Sequence, residues 1–339
     1  MPKIYIGFIT YGKSTAKYLP YFLPSLKAQT YNDFKLLAID DSEKDINENS
    51  IYIKDNFPEI DLRREDENIG FAKAYNIMIN QAIDAGADYF LALNPDMIFE
   101  TNLIEELANA MKADKKIGAI QPKILKWDFN NNLKTKTVDS YGIVCDQKFR
   151  FRDDGQGKID EGINFENSDI FGFTGAAVLL NLKAIQDVAF DNCGRKEYFD
   201  ELMFMYKEDC DLSLRLRLAG WRIILAPTAV AYHNRSAASK GGNILEIAIN
   251  RKSKSKTVKR WSYLNQWILL LKYKNLPFFW RVKLAAGWYQ LKSFIFILIF
   301  EQYLLKEFFV LWKLLPEIKK RREQLIINNK IERIGNFIK

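Results

Sequence analysis

Histidine and cysteine are nearly absent from this chain. Its 339 residues include one histidine, His233, and three cysteines, Cys145, Cys193 and Cys210. The cysteines form no CxxC pair and are odd in number. That indicates neither a zinc site nor a disulfide framework, and a reducing compartment is expected. No cleavable leader is expected either. Lys3 brings an early charge, the apolar run at residues 4–9 is short, and Lys13 follows it. Cytoplasmic synthesis and residence are therefore expected. Long uncharged apolar runs are absent too. The longest, residues 294–300, lies between Lys292 and Glu301 and is too short to span a bilayer. No Gly-rich phosphate loop opens the chain, which argues against a nucleotidyltransferase. Internal repeats and low-complexity runs are not found.

Acid is scarce in one region only. Residues 244–339 carry 20 Lys and Arg against 6 Glu and no Asp, a net charge of +14 within a chain of +8. The preceding part is therefore net −6. Five of the seven tryptophans also fall in the basic part. This predicts two units, 1–243 and 244–339, with different roles.

The chain is 48% hydrophobic and 27% charged, enough for a packed core and incompatible with wholesale disorder. Strand-like runs at 4–10, 34–39, 62–64 and 89–93 alternate with helix-like runs at 18–26, 47–56, 72–85 and 102–113. In the third helix Ala74, Ile77, Met78, Ala82 and Ile83 share one face, and Gly86 is placed to end it. The rhythm predicts an α/β fold with a doubly wound, mostly parallel sheet. Such sheets bind ligands beyond the carboxyl ends of their strands. Thr10-Tyr11-Gly12, Asp40-Asp41-Ser42, Asn68-Ile69-Gly70 and Asn94-Pro95-Asp96 all fall there. They outline a pocket, or are four sets of turn residues. Beyond Lys123, residues 127–136 and 150–168 read as long exposed loops, 171–181 as a buried strand that opens on small residues, and 209–219 as a helix. Residues 222–225 and 230–232 read as strands.

Four features can carry chemistry. Pro95 forces the chain out of the sheet and turns Asp96 toward the cleft, where a carboxylate suits Mg²⁺ or Mn²⁺ and, through it, a diphosphate. His233 ends a strand; it is either a histidine satisfied by a backbone carbonyl or a metal ligand beside Asp96. Glu208-Asp209 opens a helix, where Asp209 serves as a plain cap or as the base that deprotonates an attacking hydroxyl. Thr174 and Gly175 lie in a run of small residues that permits tight strand packing or close approach of a ligand.

Taken in order, FITY (8–11), IDDS (39–42), NIGFA (68–72), LNPD (93–96), TGA (174–176), FDELMFMYKEDCD (199–211), Gly220 and His233 resemble glycosyltransferase family 2, especially its bacterial rhamnosyltransferase-like branch. The resemblance spans residues 3–236. It implies a GT-A fold with a C-terminal helical extension, an inverting transfer, and a nucleotide-sugar donor such as a dTDP- or UDP-sugar. By the same resemblance Thr10, Tyr11, Asp40, Asp41, Asn68, Gly70 and Asn94 sit at the donor. Asp96 and His233 hold the metal, Asp209 is the base, and Glu208 orients the acceptor with Thr174 and Gly175. Two departures stand out. Asn94-Pro95-Asp96 has one carboxylate fewer than an Asp-x-Asp motif, and Lys73-Ala74 stands where the family has glycines.

The basic part interleaves Trp261, Trp267, Trp280, Trp288 and Trp312 with Lys, Arg, Leu and Phe. That mixture predicts helices resting on an anionic membrane surface, with the KKRR run at 319–322 facing lipid or solvent. It suits a polyprenyl-diphosphate-linked glycan acceptor in cell-surface polysaccharide assembly. A nucleic-acid binder would spread its charge over the fold and carry a recognition signature, and neither is present. An idle scaffold of the same fold is the other alternative. The oligomeric state stays open.

Overall fold

The computed structural model describes residues 1–45, 47–162, 168–235, 255–276 and 280–326. The chain begins with β1 (Ile4–Thr10), α1 (Gly12–Ala16), α2 (Leu19–Lys27), β2 (Phe34–Asp40), α3 (Glu48–Asn56), β3 (Asp61–Arg64), α4 (Phe71–Asp84) and β4 (Tyr89–Leu93). Periodicity placed all of these but α1 to within a residue or two. Gly86 takes the left-handed conformation, φ +70°, that lets the chain leave α4. The remaining α/β elements are β5 (Met97–Phe99), α5 (Leu103–Lys112), β6 (Ile117–Asp128), β7 (Leu133–Ser140), β8 (Ile143–Cys145), β9 (Phe151–Asp153), β10 (Ser168–Asp169), β11 (Ala177–Asn181), α6 (Leu182–Asp187), β12 (Phe190–Asn192), β13 (Arg195–Glu197), α7 (Glu208–Ala219) and β14 (Arg222–His233).

Among the described residues the main sheet runs β10-β14-β6-β11-β4-β1-β2-β3, with β5 on β14 and β7 on β6. The half from β3 to β4 is parallel. β11 then inserts antiparallel to both β4 and β6, so the sheet as a whole is mixed. Apolar side chains of β1 and β4 alternate between its faces. Ile4, Ile6 and Phe8 pack with α2 and α5 on one side, and Leu37, Phe90 and Ala92 with α4, α6 and α7 on the other. This is the two-sided burial that a doubly wound sheet requires.

Two expectations are corrected. Residues 127–136 are not a free loop. They form the tip of the β6–β7 hairpin, where Trp127 is fully buried. Residues 222–225 and 230–232 are one strand interrupted by an irregularity between Ala226 and Val230; Pro227, which cannot donate a ladder hydrogen bond, lies there.

The C-terminal part contributes α8 (Lys256–Lys272), α9 (Trp280–Phe300), a 3₁₀ turn at Gln302–Leu305 and α10 (Lys306–Glu323). α8 and α10 are not a loose tail. Leu264, Ile268, Leu269, Tyr273, Leu311 and Ile318 share one apolar cluster with Phe149, Phe171, Cys210, Leu214 and Leu218 of the α/β part. The expected boundary between the two parts, at 243/244, lies outside the described residues. Buried ion pairs reinforce the junction. Lys272, fully buried, pairs with Asp200 and Asp211, and Arg321 reaches Glu197 at 2.6 Å. Arg321 therefore departs from the lipid-facing or solvated KKRR reading. It is drawn inside by acids of the α/β part, whereas Lys319 remains exposed.

Candidate active site

β5 turns back after Pro95 and pairs antiparallel with the end of β14, setting Met97 opposite His233. This register brings together Asp96 and His233, 137 residues apart, with Asp96 Oδ1 3.2 Å from His233 Nε2. The other ring nitrogen, Nδ1, lies 2.8 Å from Asp139 Oδ2. Two carboxylates, rather than a backbone carbonyl, thus satisfy the buried imidazole. Burial opposes a charge on His233, but Asp96 and Asp139 outweigh it and push its pKa up to about 9.

The pair fits a hard divalent cation. Two ligands each about 2.1 Å from one ion and at right angles stand about 3 Å apart, close to the observed spacing. Asp139 fixes the ring so that Nε2 faces Asp96, the usual arrangement of a ligating histidine. Among the described residues no three His, Cys, Asp or Glu side chains surround one point. Protein ligands alone would therefore bind an ion weakly, and the open positions suit phosphate oxygens.

Glu208 and Asp209 stand at the start of α7. Two consecutive non-glycine residues in the left-handed region, Tyr206 and Lys207, both at φ +71°, turn the chain into the helix. Asp209 Oδ2 accepts from Gly175 N–H at 2.9 Å, and Oδ1 accepts from Cys210 N–H at 2.7 Å. Burial pushes the Asp209 carboxyl up, and these N–H groups pull it back. Glu208 gains less relief, from its own backbone N–H and from Lys207. Burial and then the charge of Asp209 raise it well above the ordinary range, and its Oε2 meets no partner. Burial thus raises both carboxyls, Glu208 the more strongly.

The donor-side residues divide. Asp40 is fully buried, and its oxygens are taken by Thr10 Oγ1, Ser42 Oγ, Ser50 Oγ and Arg64. Asp40 and Thr10 thus hold the ends of β1 and β2 together. Asp41 accepts from the N–H groups of Ile69 and Gly70, at 2.7 and 3.1 Å, while Asn68 Oδ1 caps the same turn at Gly70. Burial raises the Asp41 pKa to about 6 against those N–H groups. Gly70 is required there: at φ +83° a Cβ would lie 2.6 Å from the Phe204 ring. Tyr11 is exposed beside this cluster. Asn94 N–H donates to Ala176 O at 2.8 Å. Thr174 N–H donates to Gln121 at 2.7 Å, so the small-residue run seats both Asn94 and Asp209.

A model of Glycosyl transferase family 2 matches residues 5–187, more than half of the chain. The chain belongs to glycosyl transferase family 2. Among this enzyme's relatives, the N-acetylglucosaminyl-diphospho-decaprenol L-rhamnosyltransferase of Mycobacterium tuberculosis is 25% identical over 258 residues, 72% of this chain and 80% of the relative. Rhamnosyltransferase WbbL of Escherichia coli is 31% identical over 163 residues, 46% of this chain and 58% of the relative. The solved structure of GalNAc-T7 with UDP, GalNAc and Mn²⁺ superposes with a TM-score of 0.54 at 13% identity, covering 84% of this chain and 54% of that one. The chain spans about half of that solved protein, and at this identity the likeness shows the fold alone: GT-A.

In this glycosyltransferase, Tyr75 and Arg235 lie within electrostatic reach of both the Asp96–His233 pair and the Glu208–Asp209 pair. Tyr75 donates to Leu93 O at 2.9 Å, and its hydroxyl feels the charges of both Glu208 and Asp96. Arg235 links the two pairs. It pairs with Asp139 at 3.3 Å and with Asp153, and Asp209 acts on it as well. Asp139, Arg235 and Asp153 were missed in the sequence: Asp153 lies in a charged run, Arg152-Asp153-Asp154, read as loop, Asp139 in a segment with no periodic signal, and Arg235 just past the last strand. The signal that could have found Asp139 is its position beside the β6–β14 pairing, which only the register reveals.

Proposed function

We propose that this glycosyltransferase moves a sugar, rhamnose or a hexose, from a nucleoside diphosphate to a hydroxyl of a glycan on a polyprenyl diphosphate, with inversion at the anomeric carbon. The arrangement that supports this best is the Asp96–His233 pair standing near the Glu208–Asp209 pair, close enough that Tyr75 feels both Asp96 and Glu208 and Arg235 lies near both Asp139 and Asp209. Asp209 accepts the proton of the acceptor hydroxyl. Gly175 N–H and Cys210 N–H hold its carboxylate still. Glu208, whose buried Oε2 meets no partner among the described residues, suits a role in orienting the acceptor. Asp96 and His233 would hold Mn²⁺ or Mg²⁺, and the bound cation supplies charge neutralisation for the leaving diphosphate. The loop from Asn68 to Gly70, tied to Asp41, and exposed Tyr11 line the donor side.

The names of the relatives favour rhamnose and a lipid-linked acceptor. The membrane-facing helices agree with such an acceptor. Trp280, Leu284, Trp288, Ile299 and Phe300 of α9 and Phe309 and Trp312 of α10 are exposed, among Lys and Arg, as in interfacial helices. α9 is longer than its uncharged run suggested. At 21 residues it is the one helix, among those described, long and apolar enough to cross a membrane by length and composition. Yet Val282, Ala286, Gln290 and Ile297 bury one stripe of it, which favours a helix lying on the surface.

A thermal-shift panel of dTDP- and UDP-sugars, with and without Mn²⁺, tests the donor half. One sugar nucleotide should stabilise the chain, and do so more strongly with Mn²⁺. If every member of the panel leaves the melting temperature unchanged under both conditions, the reading fails.

A further inference from the structure

Between α8, α9 and α10 lies a cavity of about 530 Å³. Its walls are apolar, from Phe149 to Phe294, except for Lys274, Lys283, Gln290 and the indole of Trp267. No acid lines it. Lys274 and Lys283 therefore set positive charge beside a hydrocarbon wall, which calls for an occupant with negative charge and a hydrocarbon body together.

We propose that this cavity takes the phosphate-proximal end of a lipid phosphate, with the hydrocarbon against the apolar wall and the phosphate oxygens at Lys274 and Lys283. The placement agrees. The same helices carry the exposed apolar surface. Phe149 joins the cavity to the β8–β9 hairpin, where Arg150 lies 5.0 Å from the Tyr289 ring of α9. That hairpin ends at Asp153, whose charge acts on Asp209. The proposal rests on the lipid-linked acceptor reading and gives that lipid a seat.

Farnesyl diphosphate titrated into the full chain in the presence of a chelator is the test, with inorganic diphosphate and laurate as the other arms. Farnesyl diphosphate should bind at least tenfold tighter than either. Gly287→Phe should remove that preference. A Cβ at Gly287 meets nothing within 4 Å, so the ring enters open space while nucleotide-sugar binding is kept. Lys283→Glu, on an exposed position, should weaken binding similarly and serves if Gly287→Phe fails to fold. Equal binding of inorganic diphosphate or laurate, or indifference to both substitutions, overturns the proposal. Loss of nucleotide-sugar binding would instead strike the enzymatic reading, so the two failures are distinguishable.

A separate observation concerns catalysis itself. Asn265 of α8 is fully buried and donates to the carbonyls of both Met205 and Tyr206, at 2.8 and 2.7 Å. These carbonyls belong to the left-handed turn that delivers Glu208 and Asp209. We infer that Asn265 is a positioning residue for the base, given that Asp209 is the base. Asn265→Ala should lower kcat about tenfold and leave the donor KM unchanged, and Asn265→Gln should restore part of the loss. An unchanged kcat at a temperature where the variant is folded, or a change confined to the donor KM, overturns this.

Discussion

At the scale of single residues, the site sets like groups side by side. Asp209 and Glu208 are adjacent carboxyls that burial raises, and the N–H groups of Gly175 and Cys210 pull Asp209 back. Asp209→Asn keeps the shape and removes the basicity. Transfer should fall by about 10²–10⁴-fold, the usual contribution of a positioned base, while nucleotide-sugar binding by calorimetry stays within twofold. Retained turnover would remove Asp209 from its role. Asp139 acts one step back, through the ring of His233. Asp139→Asn leaves Nδ1 without its carboxylate, and the Mn²⁺ concentration needed for half-maximal activity should rise about 10–100-fold, as when other second partners of ligating histidines are lost. A metal titration at saturating donor checks this.

At the scale of elements, α8 is built into the catalytic half by charge as well as by apolar packing. Lys272, Asp200, Asp211, Arg215 and Arg321 form a buried network. Removing one member of such a network leaves uncompensated charge. Lys272→Met should cost about 3 kcal/mol in urea unfolding, near the lower end because Arg215 and Arg321 still face the acids. The pH dependence follows from Asp211. Burial opposes its charge, but Lys272 and Arg215 outweigh burial and hold the carboxyl below its ordinary 3.8. A depressed acid contributes stability that is present above pH 3.8 and is lost as pH falls through the lower folded value. Lys272→Met weakens that depression, so the midpoint of acid unfolding should move to higher pH. An unchanged acid midpoint would show that Lys272 is not the stabilising partner.

At the scale of the whole molecule, charge and exposed apolar area are segregated to the C-terminal helices. Trp288 is 61% exposed and Ile299 is also 61% exposed, on the side of α9 away from its buried stripe. The double substitution Trp288→Lys and Ile299→Lys removes apolar contact without removing positive charge. Co-sedimentation with vesicles containing anionic lipid should weaken at least tenfold, while Mn²⁺-dependent donor hydrolysis in solution persists. If vesicle binding is unaffected, this face is not the membrane surface.

The sequence alone determined the longer elements of the first hundred residues, though not the short α1 and β5, because helical and strand periods are properties of neighbours. It also determined the candidate residues at the strand ends, because turns expose the residue types that bind ligands. The junctions were decided only by tertiary structure. Nothing local ties Asp96 to His233, or Asp139 to either; the antiparallel return of β5 onto β14 and the β6–β7 hairpin do that. The basic C-terminal part reads as separate because its composition differs. Yet its polar residues Asn265, Lys272 and Arg321 complete the catalytic half, since a buried acid takes whichever distant cation or donor the packing brings to it.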